Sequence, residues 1–171
     1  MKKIVVSISL VVFALFIVMA AYAAKTTLSA KEKKFMHKAA MSGMLEVRLG
    51  QLAQQKAESK DVKDFGSRMV TDHGKANDEL KQIAQQKGVT LPEKLNPRHQ
   101  KMVDRLSKLS GAKFDKAYMA VMVKDHRHDV AFFKWASHRM KDPDLKNFAM
   151  NTLSVIEEHL KMAREIKRKL K

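Results

Sequence analysis

Four long stretches of the chain repeat apolar residues at alternating three- and four-residue steps, the spacing that lines one face of an α-helix. The first stretch, predicted over about residues 30–57, carries Phe35, Ala39, Ser42, Glu46, Leu49 and Ala53 on that face. The second, over about 60–87, carries Val62, Phe65, Met69, His73, Ala76, Leu80 and Ile83. A third, over about 112–140, has a wider apolar face of Phe114, Tyr118, Val121, Met122, Phe132, Phe133 and Ala136. The fourth, over about 143–169, carries Leu145, Phe148, Thr152, Val155, His159, Met162 and Ile166.

Local signals bound these stretches. Ser29-Ala30-Lys31-Glu32 reads as a capping box, in which serine and glutamate satisfy opposing backbone donors at a helix start. Glu58-Ser59-Lys60-Asp61 leaves room only for a tight turn, and Gly88 is a helix stop. Asp142-Pro143 and Asn96-Pro97 pair an N-cap residue with proline in the first helical position. The single long connection, residues 89–110, contains a short helix over about 97–109 that ends before Ser110-Gly111. A long crossover between the second and third long helices is the device of ferritin-like bundles, so the expected fold is an all-α, ferritin-like four-helix bundle with a short extra helix in the crossover. Gly43, Gly50, Gly66 and Gly74 fall within the helical pattern as points of close packing.

Several members of these stripes should not be in a greasy core. Glu46 and His73 interrupt the first two, each about 13 residues from the shared turn, which at ~1.5 Å per residue puts them level on antiparallel neighbours. His159 interrupts the fourth stripe, and Asp125, His126, His128 and Asp129 interrupt the third, where the pattern leaves open whether Asp125 or His126 points inward. Met69-Val70-Thr71-Asp72-His73 is echoed by Met122-Val123-Lys124-Asp125-His126. Imidazole and carboxylate bind zinc, copper, iron and manganese, and bundle cores are where such ligands converge. Glu46, His73, His126 and His159 are therefore candidate metal ligands. Asp72, Asp125 and Glu158, each one residue before a histidine, are candidates to support them from behind. A buried hydrogen-bonded network without metal is the plainer alternative. A di-iron centre is disfavoured, because Val70 and Ile156 stand where a Glu-x-x-His pattern needs carboxylates. Met69, Met122 and Met162, three or four residues from a histidine, add thioethers suited to a soft ion such as Cu(I), though core methionine is commonly packing material. His37/Met41 and His99/Met102 have the same spacing. No serine, cysteine or lysine sits in a recognisable nucleophile setting, so an enzyme has no nameable reaction here.

Composition changes this picture in two ways. A basic Met1-Lys2-Lys3, an apolar run over residues 4–21 and the small-x-small Ala21-Tyr22-Ala23 read as a secretory signal over residues 1–23, with the mature chain starting at Ala24. The expected layout is then a tail over 24–30 and the bundle over 31–171, in the periplasm or at the outer membrane. The absence of cysteine excludes disulfides, thiolate metal sites and lipid attachment at cysteine. Lysine and arginine number 34 against 18 acids, a net charge of +16. That excess favours anionic lipids or envelope polymers as partners, while no motif for specific nucleic-acid binding accompanies it. A structural protein that holds such polymers is a second reading of function, and a metal-dependent enzyme a third.

The chain also resembles the exported domain-of-unknown-function family 4142, a ferritin-like family commonly labelled as outer-membrane protein. The residues that carry the resemblance are Phe35, Met41, Gly43, Glu46-Val47, Leu49-Gly50, Val62-Lys63, Phe65-Gly66 and Arg68-Met69-Val70. Asp72-His73, Lys75-Ala76-Asn77, Gly88-Val89, Leu91-Pro92, Phe114-Asp115, Tyr118, Asp125-His126 and Glu158-His159-Leu160 complete them. The resemblance implies a helical bundle in the bacterial envelope, with polar core positions at Glu46, His73, His126 and His159, and no established activity. Strong basicity and the extra His37, His99, His128 and His138 set this chain apart from the pattern.

Overall fold

The computed structural model describes residues 27–170; the expected secretory signal, its expected cleavage point before Ala24 and the last lysine lie outside the described residues. Five helices follow in order: α1 (Ala30–Lys56), α2 (Lys60–Lys87), α3 (Pro97–Ser107), α4 (Gly111–Arg139) and α5 (Pro143–Lys169). The four long ones form the expected bundle. α1 and α2 make one antiparallel hairpin and α4 and α5 the other, with α2 packed on α5 and α1 on α4. Because α4 starts beside the α1–α2 turn, the chain must travel the length of the bundle after α2, and α3 lies on α1 and α4 along that crossover. Among the described residues no helix is long and apolar enough to cross a membrane.

The helix ends obey their local chemistry. The Ser29–Glu32 capping box forms in both directions, Asn96 and Asp142 cap α3 and α5 through their side chains, and Gly88 closes α2 in the left-handed conformation at φ 66°. α3 stops two residues short of the sequence expectation, at Ser107.

Two carboxylates join the hairpins end to end. Asp115 of α4 accepts the backbone N–H groups of Glu58 and Ser59, at 3.2 and 2.8 Å, in the α1–α2 turn. At the far end, Glu32 of α1 accepts those of Lys141 and Asp142, at 3.0 and 2.9 Å, in the α4–α5 turn. Lys87 adds ion pairs to Asp142 and Asp144 there. Each hairpin thus caps the turn of the other, which sets their relative height.

Glycine sets the distance within the first hairpin. A Cβ at Gly50 would stand 2.6 Å from the Gly66 carbonyl oxygen, and one at Gly66 would stand 2.6 Å from Ala53 Cβ. Both contacts are too short to exist, so these glycines let α1 and α2 approach closely. A Cβ at Gly43 would collide with the Asn77 side chain of α2, so that glycine too is closely covered, whereas Gly74 faces open space.

The stripes bury largely as the periodicity predicts, with one displacement. In α5 the inward positions are Ile156 and Ala163, while Val155 is 36% exposed and Met162 only half-buried. Seven residues are slightly less than two turns at 3.6 residues each, so an integer stripe drifts off the buried face. The apolar core forms two clusters. One holds Phe35, Leu80, Phe133, Phe148 and Ile156; the other holds Leu49, Phe65, Met69, Phe114, Tyr118 and Met122.

Glu32 links these observations to stability. Burial pushes its pKa up, but hydrogen bonds from Ser29, Asp142 and Lys141 outweigh that and hold it down at about 2, against 4.5 ordinarily. A depressed carboxylate stabilises the fold above its unfolded value and loses that contribution as pH falls through the folded one. Thermal melts should therefore decline between pH 4.5 and about 2 in a way that Glu32→Gln abolishes. The substitution should cost about 2–3 kcal/mol at neutral pH.

Candidate metal centre

Between the two apolar clusters the bundle carries a polar layer. His73 from α2, His126 from α4 and His159 from α5 are all buried and face one another. Their ring centroids lie 5.7 Å apart for His73–His126, 5.3 Å for His73–His159 and 5.5 Å for His126–His159. One nitrogen from each ring falls within 4.8 Å of the other two. Phe65 closes the layer on the side of the second cluster, against His126 and His159.

The hydrogen bonds decide which nitrogens are free. His126 Nδ1 lies 3.0 Å from the Met122 carbonyl oxygen, which can only accept, so Nδ1 carries the proton and Nε2 keeps its lone pair. His159 Nε2 donates to Asp72 Oδ2 at 2.9 Å, leaving Nδ1 with the lone pair. His126 Nε2, His159 Nδ1 and His73 Nε2 are buried and have no protein partner. Asp72 is itself held by Arg68 at 3.1 Å, and Arg68 reaches Glu158 at 2.9 Å. A carboxylate behind an imidazole is the usual arrangement around a metal ligand, since it fixes the ring and raises its basicity.

Electrostatics keep the rings neutral. Burial lowers the His73 pKa well below the ordinary value, and charge on His126 or His159 would lower it further. Burial, then repulsion from His159, brings His126 down to about 3. Burial also lowers His159, against the pull of its bond to Asp72. Neutral imidazole is the ligand form, so the donors are ready for an ion at neutral pH. Zinc–nitrogen bonds of ~2.0–2.1 Å need nitrogens roughly 3.3–3.6 Å apart, so the rings must close by about an ångström. A solvent-open cleft of about 300 Å³ between α2 and α5, lined by Arg68, Asp72, His73, Val155 and His159 among others, gives access to the layer.

Three of the four candidate ligands read from the sequence therefore meet. The fourth, Glu46, is fully buried on α1 with both carboxyl oxygens unpartnered, but it is not among the groups within 4.8 Å. Burial raises its pKa well above the ordinary value, and Asp129 and Asp125 raise it further. Glu46 thus belongs to a second, acidic group. Asp129, pushed up to about 6 by burial, accepts from Ser42 at 2.9 Å, and that bond works against the rise. Asp125 is half-buried on this side with Oδ2 unpartnered, so of the open pair at 125 and 126 it is His126 that enters the layer. Of the candidate supports, Asp72 touches a ring directly and Glu158 acts only through Arg68. Met69 and Met122 are fully buried one turn from His73 and His126, and Met162 is half-buried. His37, His128 and His138 are exposed; His99 is half-buried, with Nδ1 unpartnered. Sequence reasoning gave no site role to Arg68, an i,i+4 partner for Asp72 that charge spacing could have flagged, and saw Asp129 only as an interruption of the third stripe, its partner Ser42 being 87 residues away.

A family model described as a domain of unknown function, DUF4142, matches residues 18–166. The chain belongs to the DUF4142 family. No curated protein sequence matches it. Among solved structures, this DUF4142 chain is similar to a DUF305 fragment from Deinococcus radiodurans, with TM-score 0.73, 13% identity, and coverage of 83% of this chain and 98% of that one. It is also similar to CopM in its Cu(I)-bound form, with TM-score 0.69, 16% identity, and coverage of 81% and 96%. For the Cu(II)-bound form of CopM the TM-score is 0.70 at 16% identity, with coverage of 82% and 97%. At these identities the likeness is one of fold.

Three histidines with depressed pKa values each contribute acid sensitivity, which the raised carboxylates of Glu46, Asp125 and Asp129 oppose. The neutral rings stabilise the fold fully above their ordinary value of 6.5, and that stability is lost as pH falls from 6.5 towards the value of about 3 at His126. The melting temperature of the protein relative to a His126→Leu variant should fall through this window, starting well above the Glu32 range. Replacing His126 by Leu should flatten the upper part of the curve.

Proposed function

We propose that this protein is an exported metal-binding bundle that holds one transition-metal ion on His73, His126 and His159, as a binding or protective module. The observation that carries this reading is the convergence of three buried imidazoles, one nitrogen of each within 4.8 Å of the others, together with a buried nitrogen on every ring that has no hydrogen-bond partner. A merely structural histidine layer would be expected to use those nitrogens in hydrogen bonds, because an unmet buried polar atom costs roughly 1–3 kcal/mol.

Copper, as Cu(I), is the ion this donor set suits best. Three imidazoles alone would serve zinc as well as copper, with the carboxylate of Asp72 behind His159, so the preference rests on the thioethers nearby. Met69 and Met122 surround the layer with soft, polarisable sulfur. Bundles of this fold occur with copper bound in CopM, which supports the reading as an analogy. Export, read from the basic and apolar leader, would place the site where copper is met before it reaches the cytoplasm.

The test is elemental mass spectrometry on protein purified from the periplasm without chelator or affinity tag, followed by titration with Cu(I), Zn(II), Fe(II) and Mn(II). One equivalent of metal is expected in the wild type and none in a His126→Ala/His159→Ala double variant that still melts cooperatively. Asp72→Asn should retain the site but weaken it roughly 10- to 100-fold. No uptake of any offered ion, or uptake indifferent to the double variant, would leave the layer as architecture.

A further inference from the structure

A second feature lies on the surface of α1 and α4, away from the histidine layer. Lys31, Lys34 and Lys38 follow one another along α1, all exposed. With Phe35, Phe132 and Trp135 they line a shallow recess of about 320 Å³ that contains no acidic side chain. Trp135, the only tryptophan of the chain, is 42% exposed. Its ring lies 6.3 Å from that of Phe132 at an interplanar angle of 11°. Phe132 packs in turn on buried Phe35 at 5.3 Å, and Lys38 Nζ stands 5.7 Å from the Phe132 ring. The indole is thus held out from the core on a rigid stack of rings.

Local physics does not ask for this arrangement. Lysines near a helix start oppose the macrodipole, which favours acids there. An exposed indole gives up burial that Trp ordinarily gains. Both departures become favourable against one kind of partner. Tryptophan is at home at the headgroup level of a bilayer, and lysine stems pass through apolar surroundings while their ammonium groups reach phosphates.

We propose that the Lys31, Lys34, Lys38 and Trp135 face seats the protein on an anionic phospholipid surface, with the indole at headgroup depth. The charge is complementary, and the patch has no acid to repel phosphate. A nucleic acid strand fits it less well. Strand binding uses a succession of stacking faces, and here Phe132 already covers one side of the single exposed ring. The larger basic groove near the C-terminus, lined by Lys161, Arg164 and Arg168, also contains Glu157 and Glu165, so its field is mixed.

The single tryptophan makes the test direct. Protein from Ala24 onward, which contains the whole described bundle, is mixed with vesicles of phosphatidylcholine alone or with equal parts phosphatidylglycerol. Co-sedimentation and a blue shift of tryptophan emission are expected only with phosphatidylglycerol, both weakening as salt rises. At about fivefold per lysine, Lys31→Gln/Lys34→Gln/Lys38→Gln should lower partitioning roughly a hundredfold and remove the shift. Trp135→Ser should weaken sedimentation without altering circular dichroism, and Lys161→Gln/Arg164→Gln/Arg168→Gln should leave the shift in place. The proposal is overturned by absence of binding at low salt, by binding without a shift, by loss in the C-terminal variant alone, or by a shift given by single-stranded DNA but not by vesicles.

Discussion

Everything in the interior depends on the relative height of two hairpins, and two carboxylates fix it. Asp115 takes the backbone donors of one turn and Glu32 those of the other. Helices packed through apolar side chains alone tolerate sliding, since such contacts are weakly directional. A charge-assisted hydrogen bond to a backbone N–H does not, because its geometry is narrow. With both ends held, residues near the middle of α2, α4 and α5 have no choice of level. His73, His126 and His159 meet because the turns are fastened.

The layer they form is expensive, and its form shows how the cost is limited. Burial strips water from three imidazoles, and their proximity penalises any proton that would charge them. The fold answers by keeping them neutral and by using one nitrogen of His126 and one of His159 as donors to nearby acceptors. The remaining lone pairs are aimed inward. The neighbouring acids are handled in the same manner: burial lifts Glu46, Asp125 and Asp129 above ordinary carboxylate values, and repulsion from nearby acids adds to the rise at Glu46 and Asp129, so little net negative charge enters the core. The interior is polar without being strongly charged.

Most of this architecture was legible in the sequence, because helix periodicity, caps and prolines are local signals. The ends of α2 and α5 and the crossover follow from Gly88, Pro97 and Pro143. The α5 stripe drifted at Val155 and Ile156 because an integer repeat only approximates a helical turn. The site was legible as a set of intrusions: level counting from the first turn put Glu46 and His73 at one height, and His126 and His159 stood out as polar members of the other two stripes. That counting could not separate Glu46, which lies near Asp125 and Asp129 and outside the histidine group. Nor could it resolve Asp125 from His126, which differ by about 100° of rotation within a run, Lys124 to Asp129, that is polar throughout and carries no apolar marker of the inward side. The clamps at Glu32 and Asp115 were half visible: the capping box was read, but a carboxylate reaching a turn 109 residues away leaves no trace in spacing.

The polar layer also divides the apolar core into two clusters, and its three rings come from both hairpins. A bundle split at mid-height is least cohesive there, where an opening fluctuation gives up few apolar contacts. An ion gripped by one ring from the first hairpin and two from the second would act as a rivet through that seam. Its occupancy would then set how often the hairpins part, and so how often a protease could reach the chain. Abundance itself would become the record of metal supply.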